Sequence, residues 1–392
     1  MISKWFNLSI ETKLAELEEA SLLRKIPSVD NGAEKELSFK GRKLLNLASN
    51  DYLGLACDDR LKSASIQAIR DYGTGAAASR LVTGNFKLYE TLEQEFAQFK
   101  EQDEAMLFSS GYAANLAIID SFADRQTVVF SDKLNHASIL DGIKMSGAKH
   151  ARYQHNDIEH LKKRLESFKD SLAKILITDT IFSMDGDLAH IEEIAQICKF
   201  YNVMLVVDEA HAEGVFGEGK GLCFERKVSA LVDLHMGAFS KAFGSHGGMV
   251  SGNSDLISFL RNKGRSFVFS TALPPAVVGA NLASLRLVSA DPSMGERVLE
   301  NSRDLKKFLE SEGFDCGNSE SQIVPVILGS NALALQAQAF LLEEGIYTAA
   351  IRPPTVPMNT ARLRLSLRAD LTKADIEKVK YAFVALRKEI LS

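Results

Sequence analysis

Short apolar runs alternate with amphipathic stretches along most of this 392-residue chain. The apolar runs predict buried strands at Ala105–Phe108, Thr127–Phe130, Lys174–Thr178, Val203–Val207 and Leu234–Phe239. Apolar residues at helical spacing predict helices at Lys87–Lys100, Ala113–Phe122, Ser138–Ser146, Ile158–Phe168 and Ile191–Tyr201. Strands that alternate with helices predict an α/β fold built on a mostly parallel sheet covered by helices.

The two ends of the chain follow other patterns. Residues 9–24 carry leucines at helical spacing between charges, which predicts an amphipathic helix, and Leu44–Leu47 predicts a short strand. Pro274-Pro275 interrupts the alternation, and Ile323–Leu328 and Ala361–Leu367 predict further strands beyond it. We therefore expect an N-terminal arm over residues 1–50, a large domain over 51–280 and a smaller α+β C-terminal domain over 281–392.

Composition narrows the class of protein. With 46% hydrophobic and 25% charged residues the chain is of ordinary globular type. Its net charge of -5 argues against nucleic acid as a partner, because nucleic-acid binders need a basic surface. No apolar run is long enough for a membrane span or a signal peptide, so we expect no membrane association and a cytoplasmic location. The four cysteines form no C-x-x-C pair, and we expect no metal site.

Polar residues that follow the predicted strands are the first candidates for a site, because open α/β sheets bind ligands beyond the carboxyl ends of their strands. Asp208 and Lys241 follow two successive strands. Taken singly, Asp208 could be a salt-bridged or capping residue and Lys241 a solvated one. Taken together, they predict a site for pyridoxal 5'-phosphate (PLP), in which Asp208 keeps the pyridine nitrogen protonated and the Lys241 amine attacks the aldehyde.

Further strand ends point to the same edge of the sheet. Gly111 and Tyr112 begin a helix whose N–H groups could hold the cofactor phosphate, although an ordinary strand-to-helix turn has the same pattern. His136 could cap the next helix or lay its ring on the cofactor, and Ser183 is ambiguous in the same way. Convergence of these residues with His211 favours the cofactor site.

The ordered motifs of the chain resemble the α-oxoamine synthases, a family of fold-type I PLP transferases, over essentially its whole length. The matching segments are Ser49–Leu55, Ser79–Asn85, Ser110–Asn115, Asn135–Ser138, Phe182–Asp187, Val207–His211 and Phe239–Gly244. Members of this family join an amino acid to an acyl thioester and release the thiol carrier and carbon dioxide. The resemblance therefore implies a PLP-dependent acyltransferase that functions as a homodimer.

The resemblance also implies roles for individual positions. The catalytic residues would be Lys241, His136, Asp208 and His211, with Lys241 as the Schiff-base lysine and His136 stacked on the ring. Further cofactor contacts would come from Gly111, Tyr112, Ser183, Ala238 and Ser240, and from Ser270 and Thr271 reaching the partner's cofactor. Substrate contacts would come from Arg24, Asn50, His136, Arg352, Thr355 and Arg364, among which Asn50 and Arg364 would bind the carboxylate of the amino acid.

The combination of Asn50–Leu55, Ser79–Asn85 and Arg352–Pro357 most resembles one branch of the family. That branch condenses L-alanine with a pimeloyl thioester, carried by acyl carrier protein or coenzyme A, in biotin biosynthesis. A glycine-acetylating branch and a non-catalytic partner subunit of the same fold remain alternatives, although the presence of Lys241 argues against the second. Two positions depart from the family pattern. Ala238 stands where a Thr is common, and the sequence Leu22–Lys25 leaves the alignment of Arg24 open by one residue.

Overall fold

The computed structural model describes residues 4–390, which form two compact units. The larger unit comprises Asn50–Ser183 and Asp187–Glu300. The smaller unit comprises Met1–Ser49, Met184–Gly186 and Asn301–Ser392, so the N-terminal segment groups with the C-terminal part of the chain. The division into an arm and two domains at residues 50 and 280 stays a prediction.

The secondary structure is numbered along the chain. The strands are β1 (Glu36–Phe39), β2 (Arg42–Asn46), β3 (Glu104–Phe108), β4 (Val128–Asp132), β5 (Lys149–Tyr153), β6 (Lys174–Asp179), β7 (Met204–Asp208), β8 (Leu234–Ala238), β9 (Gly248–Gly252), β10 (Ile323–Gly329), β11 (Ile346–Tyr347), β12 (Ala349–Ile351) and β13 (Ala361–Ser366). The helices are α1 (Lys4–Glu19), α2 (Asp59–Tyr72), α3 (Lys87–Phe99), α4 (Gly111–Phe122), α5 (Ala137–Ser146), α6 (Ile158–Glu166), α7 (Ile191–Tyr201), α8 (Leu222–Glu225), α9 (Ser254–Lys263), α10 (Arg265–Val268), α11 (Pro275–Ala290), α12 (Ser293–Ser311), α13 (Asn331–Glu343) and α14 (Lys373–Ile390).

A seven-stranded sheet of order β3-β9-β8-β7-β6-β4-β5 forms the centre of the larger unit. The strands β5, β4, β6, β7 and β8 run parallel, whereas β9 is antiparallel to both β8 and β3. The expected mostly parallel α/β sheet covered by helices is therefore confirmed. In the parallel ladder between β6 and β7, Asp179 pairs with Asp208, which sets two carboxyl groups side by side at the ends of these strands.

Apolar burial on the sheet explains why these segments fold as they do. Val129, Ile177 and Val206 are fully buried on neighbouring strands and belong to one core with the apolar residues of α4, among them Ala117 and Ile118. Strands with apolar residues on both faces need cover on both faces, which the intervening helices supply.

Two strands of this sheet were not predicted from the sequence. The edge strand β5 reads Lys-His-Ala-Arg-Tyr, and it buries little beyond its Ala and Tyr because one side of the strand has no neighbour. The strand β9 begins and ends in Gly, which has low strand propensity. Gly248 is required there, because a Cβ atom at this position would lie 2.4 Å from the carbonyl oxygen of Ser110.

The predicted N-terminal helix has different bounds in the structure. Helix α1 ends at Glu19, and Ser21 adopts a left-handed conformation with φ 54°. The backbone N–H groups of Leu22 and Leu23 both donate to the carbonyl of Leu17, which closes the last turn. The expectation of helix up to residue 24 is therefore wrong, and Arg24 lies on a non-helical segment.

The smaller unit contains two three-stranded sheets, of order β1-β2-β11 and β10-β13-β12. Leu45, Leu363 and Leu365 from these sheets form a buried core with residues of α14 such as Phe383. Alternation along β13 sets Arg362 and Arg364 on the opposite face from Leu363 and Leu365, and both arginines are buried. Among the described residues, no helix combines the length and apolar character that crossing a bilayer requires.

Candidate active site

A cavity of about 220 Å³ lies in the larger unit at the carboxyl ends of β6, β7 and β8. The cavity is lined by Ser110, Gly111, Tyr112, Asn115, His136, Asp179, Asp208, Ala210, His211, Met236, Ala238, Ser240 and Lys241. The predicted cofactor contacts from Gly111 to Lys241, with the exception of Ser183, thus line one cavity. The strand-end argument explains this, because parallel strands deliver the residues that follow them to one edge.

Asp208 is held by neutral donors. The side-chain amide of Asn115 donates to its Oδ2 at 2.8 Å, and the backbone N–H of Ala210 donates to its Oδ1 at 3.0 Å. Asp208 is only 5% exposed, and N–H donors of this kind stabilise a buried carboxylate without neutralising it. The carboxyl group of Asp208 therefore lines the cavity with neutral N–H donors behind it.

Asp179 is a second buried carboxyl group beside the first. It accepts a hydrogen bond from the backbone N–H of His136 at 2.8 Å through Oδ2. Burial, together with the negative charge of Asp208, raises the pKa of Asp179 well above its usual range. The geometry thus favours a protonated Asp179.

A hydrogen bond to Ser138 orients the ring of His136. His136 caps α5, and its Nδ1 lies 2.7 Å from the hydroxyl of Ser138. Burial lowers the pKa of His136. The negative charge of Asp208 opposes this shift, and the positive charge of Lys241 adds to it. The ring of Tyr112 meets the His136 ring edge-on at 6.4 Å, and the Tyr112 hydroxyl donates to Asp141.

His211 is positioned by a residue that the sequence analysis did not assign to the site. Its Nδ1 lies 2.7 Å from the hydroxyl of Tyr52, and that hydroxyl is 3.2 Å from Oδ1 of Asn50. Tyr52 is fully buried and His211 nearly so. Asn50 and His211, predicted separately for substrate and cofactor, are thus linked through one phenol.

Lys241 lies on a tight turn after β8. The N–H of Gly244 donates to the Lys241 carbonyl at 2.9 Å, and Gly244 has φ 64°. A Cβ atom at Gly244 would lie 2.4 Å from the backbone N of Ala56, so this turn needs Gly. Phe239 and Phe243 are buried on either side, and Lys241 itself is half-buried at the cavity.

The N-terminus of α4 also lines the cavity. Ser110 caps the helix, with its hydroxyl accepting from the backbone N–H of Ala113 at 3.1 Å. The first-turn N–H groups of Gly111 and Tyr112 have no acceptor within the helix, and the helix dipole adds partial positive charge there. This wall suits an anion such as a phosphate group.

Several predicted residues lie outside this cavity. Ser270 and Thr271 line a separate small cavity of about 20 Å³ in the larger unit, together with Arg80 and Tyr89. Ser183 is half-buried just beyond the bridge between Ile181 and Leu188 and is not among the lining residues.

The predicted substrate residues of the smaller unit form their own group. Arg24 donates to the hydroxyl of Thr355 at 3.2 Å, and Arg352 donates to the carbonyl of Ser21. Burial, and then the charge of Arg24, lower the pKa of Arg352. Arg364 donates to the hydroxyl of Ser366 at 2.9 Å on β13. Arg24, Arg352 and Thr355 are thus close to one another, as an anion-binding site requires.

Sequence reasoning missed Asn115, Asp179 and Tyr52. Asp179 directly follows the predicted strand Lys174–Thr178, so the rule that selected Asp208 also applies to it. Asn115 stands in the apolar run of α4, where a buried amide needs a polar partner. Tyr52 lies within a matched motif, but its pattern gives no sign of a bond to a residue 159 positions away.

The donor set fits PLP. A carboxylate faces the cavity from one side, a helix N-terminus from another, and a lysine amine from the turn after β8. In addition, Oδ1 of Asn115 is buried without a hydrogen-bond partner, which leaves an acceptor directly beside Asp208.

Comparison with known proteins decides the family. Residues 42–383 match the family model of class I and II aminotransferases. A Bacillus cereus (strain ATCC 10987 / NRS 248) protein with the provisional name 8-amino-7-oxononanoate synthase is 44% identical over 382 residues, covering 97% of both chains. The chain belongs to the class I and II aminotransferases, in their α-oxoamine synthase family. It is accordingly a PLP-dependent acyltransferase.

Solved structures agree with this assignment. The serine palmitoyltransferase of Sphingomonas wittichii is 32% identical, with a TM-score of 0.92 over 98% of both chains. The 8-amino-7-oxononanoate synthase of Francisella tularensis is 27% identical, with a TM-score of 0.75 over 89% of this chain and 98% of that one. The fold is therefore that of the fold-type I PLP transferases.

Proposed function

We propose that this protein is an 8-amino-7-oxononanoate synthase, which condenses L-alanine with a pimeloyl thioester, with loss of carbon dioxide and of the thiol carrier, in biotin biosynthesis. The observation that carries the proposal is the 44% identity over nearly the whole length of the Bacillus cereus relative of that provisional name. The relative from Bacillus mycoides (strain KBAB4) supports it at 42% identity over 99% of both chains.

The residues of the cavity have complementary tasks in such a reaction. The N–H groups of Gly111 and Tyr112 would hold the cofactor phosphate, the His136 ring would cover the pyridine face, and Asp208 would bond the pyridine nitrogen. Bound PLP supplies an electron sink that stabilises negative charge on the α-carbon of the amino acid. Lys241 would carry the cofactor and then, as a free amine, remove the α-proton.

Substrate recognition would involve the arginines of the smaller unit. We assign Arg364, with Asn50, to the carboxylate of alanine, and Arg352, Arg24 and Thr355 to the acyl substrate. The planar guanidinium group suits a carboxylate or an ester oxygen at the far end of a pimeloyl chain. In a homodimer, Ser270 and Thr271 would reach the partner's cofactor.

A first experiment tests the site and the amino acid together. The visible spectrum of PLP-loaded protein should change with L-alanine and much less with glycine or L-serine. Borohydride reduction followed by peptide mapping should label Lys241. A label on another lysine, or a response to glycine alone, would contradict the assignment.

A second experiment separates the two arginines. Arg352→Ala should raise the KM for the pimeloyl thioester and leave the alanine-induced spectral change intact. Arg364→Ala should weaken that spectral change without any thioester present. If Arg352→Ala removed the response to alanine and left acyl use unchanged, the two assignments would be reversed.

One observation favours a second candidate within the same family. The serine palmitoyltransferase structure superposes with a TM-score of 0.92, against 0.75 for the 8-amino-7-oxononanoate synthase structure. Condensation of L-serine with a long-chain acyl thioester is therefore the rival activity. Assaying L-alanine and L-serine, each with pimeloyl and palmitoyl thioesters, decides between the two.

A further inference from the structure

His155 forms two ionic hydrogen bonds at the end of the central sheet, and the proposed reaction does not use this side chain. Its Nδ1 lies 3.0 Å from Oδ1 of Asp132, the last residue of β4. Its Nε2 lies 2.7 Å from Oδ2 of Asp187. The ring also meets Phe182 edge-on, with 4.4 Å between ring centroids. A neutral imidazole carries one N–H, so donation to both carboxylates requires the protonated ring.

Each of the two carboxylates belongs to a segment with a predicted cofactor residue. Asp132 also accepts from the backbone N–H of Leu134 at 2.7 Å, and so anchors the turn that leads to His136. The carbonyl of Asp187 accepts from the backbone N–H of Phe182 at 3.1 Å, which closes the loop that carries Ser183. The ring of His155 therefore stands between these two segments.

The neighbouring residue adds to the same connection. The backbone N–H of Asn156 donates to Oδ2 of Asp132 at 2.9 Å, and its side-chain amide donates to Oδ2 of Asp187 at 3.0 Å. Asp132 is 1% and Asp187 7% exposed, so both carboxylates need such partners.

We propose that His155 is a positioning residue for cofactor binding, whose ring ties the turn that carries His136 to the loop that carries Ser183. The role depends on the PLP pocket and not on which amino acid or acyl group reacts there. Burial alone would lower the pKa of His155, but the hydrogen bonds to Asp132 and Asp187 and the charges of these carboxylates raise it to about 10. The tie is therefore a fixed cation across the neutral range.

PLP affinity provides the main test. Apoprotein titrated with PLP and followed by absorbance should bind about tenfold more weakly in His155→Gln and in Asp187→Ala, since each removes a charge-assisted bond of the tie. His190→Gln is the matched control. The His190 side chain is 54% exposed, and its Nδ1 lies 3.8 Å from Oε2 of Glu193, too far for a hydrogen bond. A Kd within twofold of the unsubstituted protein in both folded variants would overturn the role.

A double-mutant cycle distinguishes a shared tie from two unrelated structural effects. His155→Gln/Asp187→Ala should bind PLP about as weakly as the weaker single variant, because the tie can be broken only once. Losses that multiply, to about 100-fold, would show that the two residues act independently and would overturn the proposal.

The charge state can be measured without any substitution. Nitrogen-15 NMR of histidine-labelled protein should show His155 with both ring nitrogens protonated at pH 8. A neutral His155 at that pH would overturn the proposed cationic tie. This measurement gives the charge of His155 even if one of the variants does not fold.

Discussion

Asp208 and Glu209 are consecutive residues at the end of β7, yet they belong to two different buried charge clusters. Asp208 faces the cavity that we propose for PLP and is held by two neutral donors, Asn115 and the Ala210 amide. Glu209 is fully buried in a closed ionic cluster, where its Oε2 lies 2.8 Å from Nζ of Lys100 and 3.0 Å from Nδ1 of His235. Its Oε1 accepts from the backbone N–H of Cys223 at 2.9 Å.

The difference lies in what balances the charge. Although burial opposes ionisation, Lys100 and His235 hold the pKa of Glu209 well below its usual range, and the cluster has no open side. The carboxylate oxygens of Asp208 accept hydrogen bonds from neutral N–H groups, and the carboxylate lines an open cavity that a cation can enter. Asp208, for which we propose a catalytic role, is thus paired with neutral donors, whereas Glu209 is paired with Lys100 and His235.

The largest expected effect comes from Asp208→Asn. The introduced amide cannot keep a pyridine nitrogen positively charged, so kcat/KM of the PLP-loaded enzyme should fall by about 10³-fold. The fold should survive, because Oδ1 of Asn115 is unpaired and a rotated Asn115 amide can accept a bond from the introduced side chain. Kinetics together with thermal unfolding check this, and near-normal turnover would show that Asp208 is structural.

Lys100→Met should have the opposite profile. It leaves Glu209 and Glu213 buried without their common cation, with Lys100 itself only 2% exposed, and should lower the free energy of unfolding by about 3–5 kcal/mol. The folded fraction should bind PLP with unchanged affinity, which denaturant unfolding and PLP titration can show. A loss of PLP affinity with intact stability would mean that the two clusters are not separate.

The sequence alone predicts one of these clusters far better than the other. Asp208, His136 and Lys241 follow apolar strands, so the geometry of a parallel sheet is enough to bring them together. Lys100 ends a predicted helix, where a lysine is ordinarily solvated and favoured by the dipole. Its partner Glu209 is 109 positions away, and only the packing of α3 against the sheet region brings the two together.

The same contrast applies to the fold. Apolar runs with helices between them were enough to predict β3, β4, β6, β7 and β8 and their mostly parallel sheet. Strand β9 was missed because its glycines serve close backbone approach and not strand propensity. Gly237 shows the same limit, because a Cβ atom there would overlap the carboxylate of Glu213, a contact that no periodicity encodes.

A smaller effect should distinguish Glu213 from Glu209. Burial, only partly offset by Lys100, raises the pKa of Glu213 to about 7, above its usual value near 4.5. The folded state therefore binds a proton that the unfolded state has released, and stability falls as pH rises from about 4.5 through 7.

Glu213→Gln should remove this dependence and be roughly 2 kcal/mol more stable than the unsubstituted protein at pH 8, with little difference at pH 5. The raised pKa of His155 is present in both proteins, so the difference between their stability curves isolates Glu213. Glu209→Gln is the control and should destabilise at both pH values. Parallel curves for the unsubstituted protein and Glu213→Gln would contradict the raised pKa.

The smallest expected effect concerns Ala238, the position at which the resemblance to the α-oxoamine synthases implies a Thr. Ala238 is buried at the end of β8 and lines the cavity, and its Cβ lies 3.6 Å from the point where a Cβ on Gly111 would stand. A hydroxyl there would be next to the helix N-terminus that is suited to the cofactor phosphate. Ala238→Thr should tighten PLP binding by about fivefold, the value of one net hydrogen bond of about 1 kcal/mol.

Ala238→Val is the control, because Val has the shape of Thr without the hydroxyl and should not tighten binding. If the two variants changed the Kd for PLP by the same factor, packing and not a hydrogen bond would account for the effect.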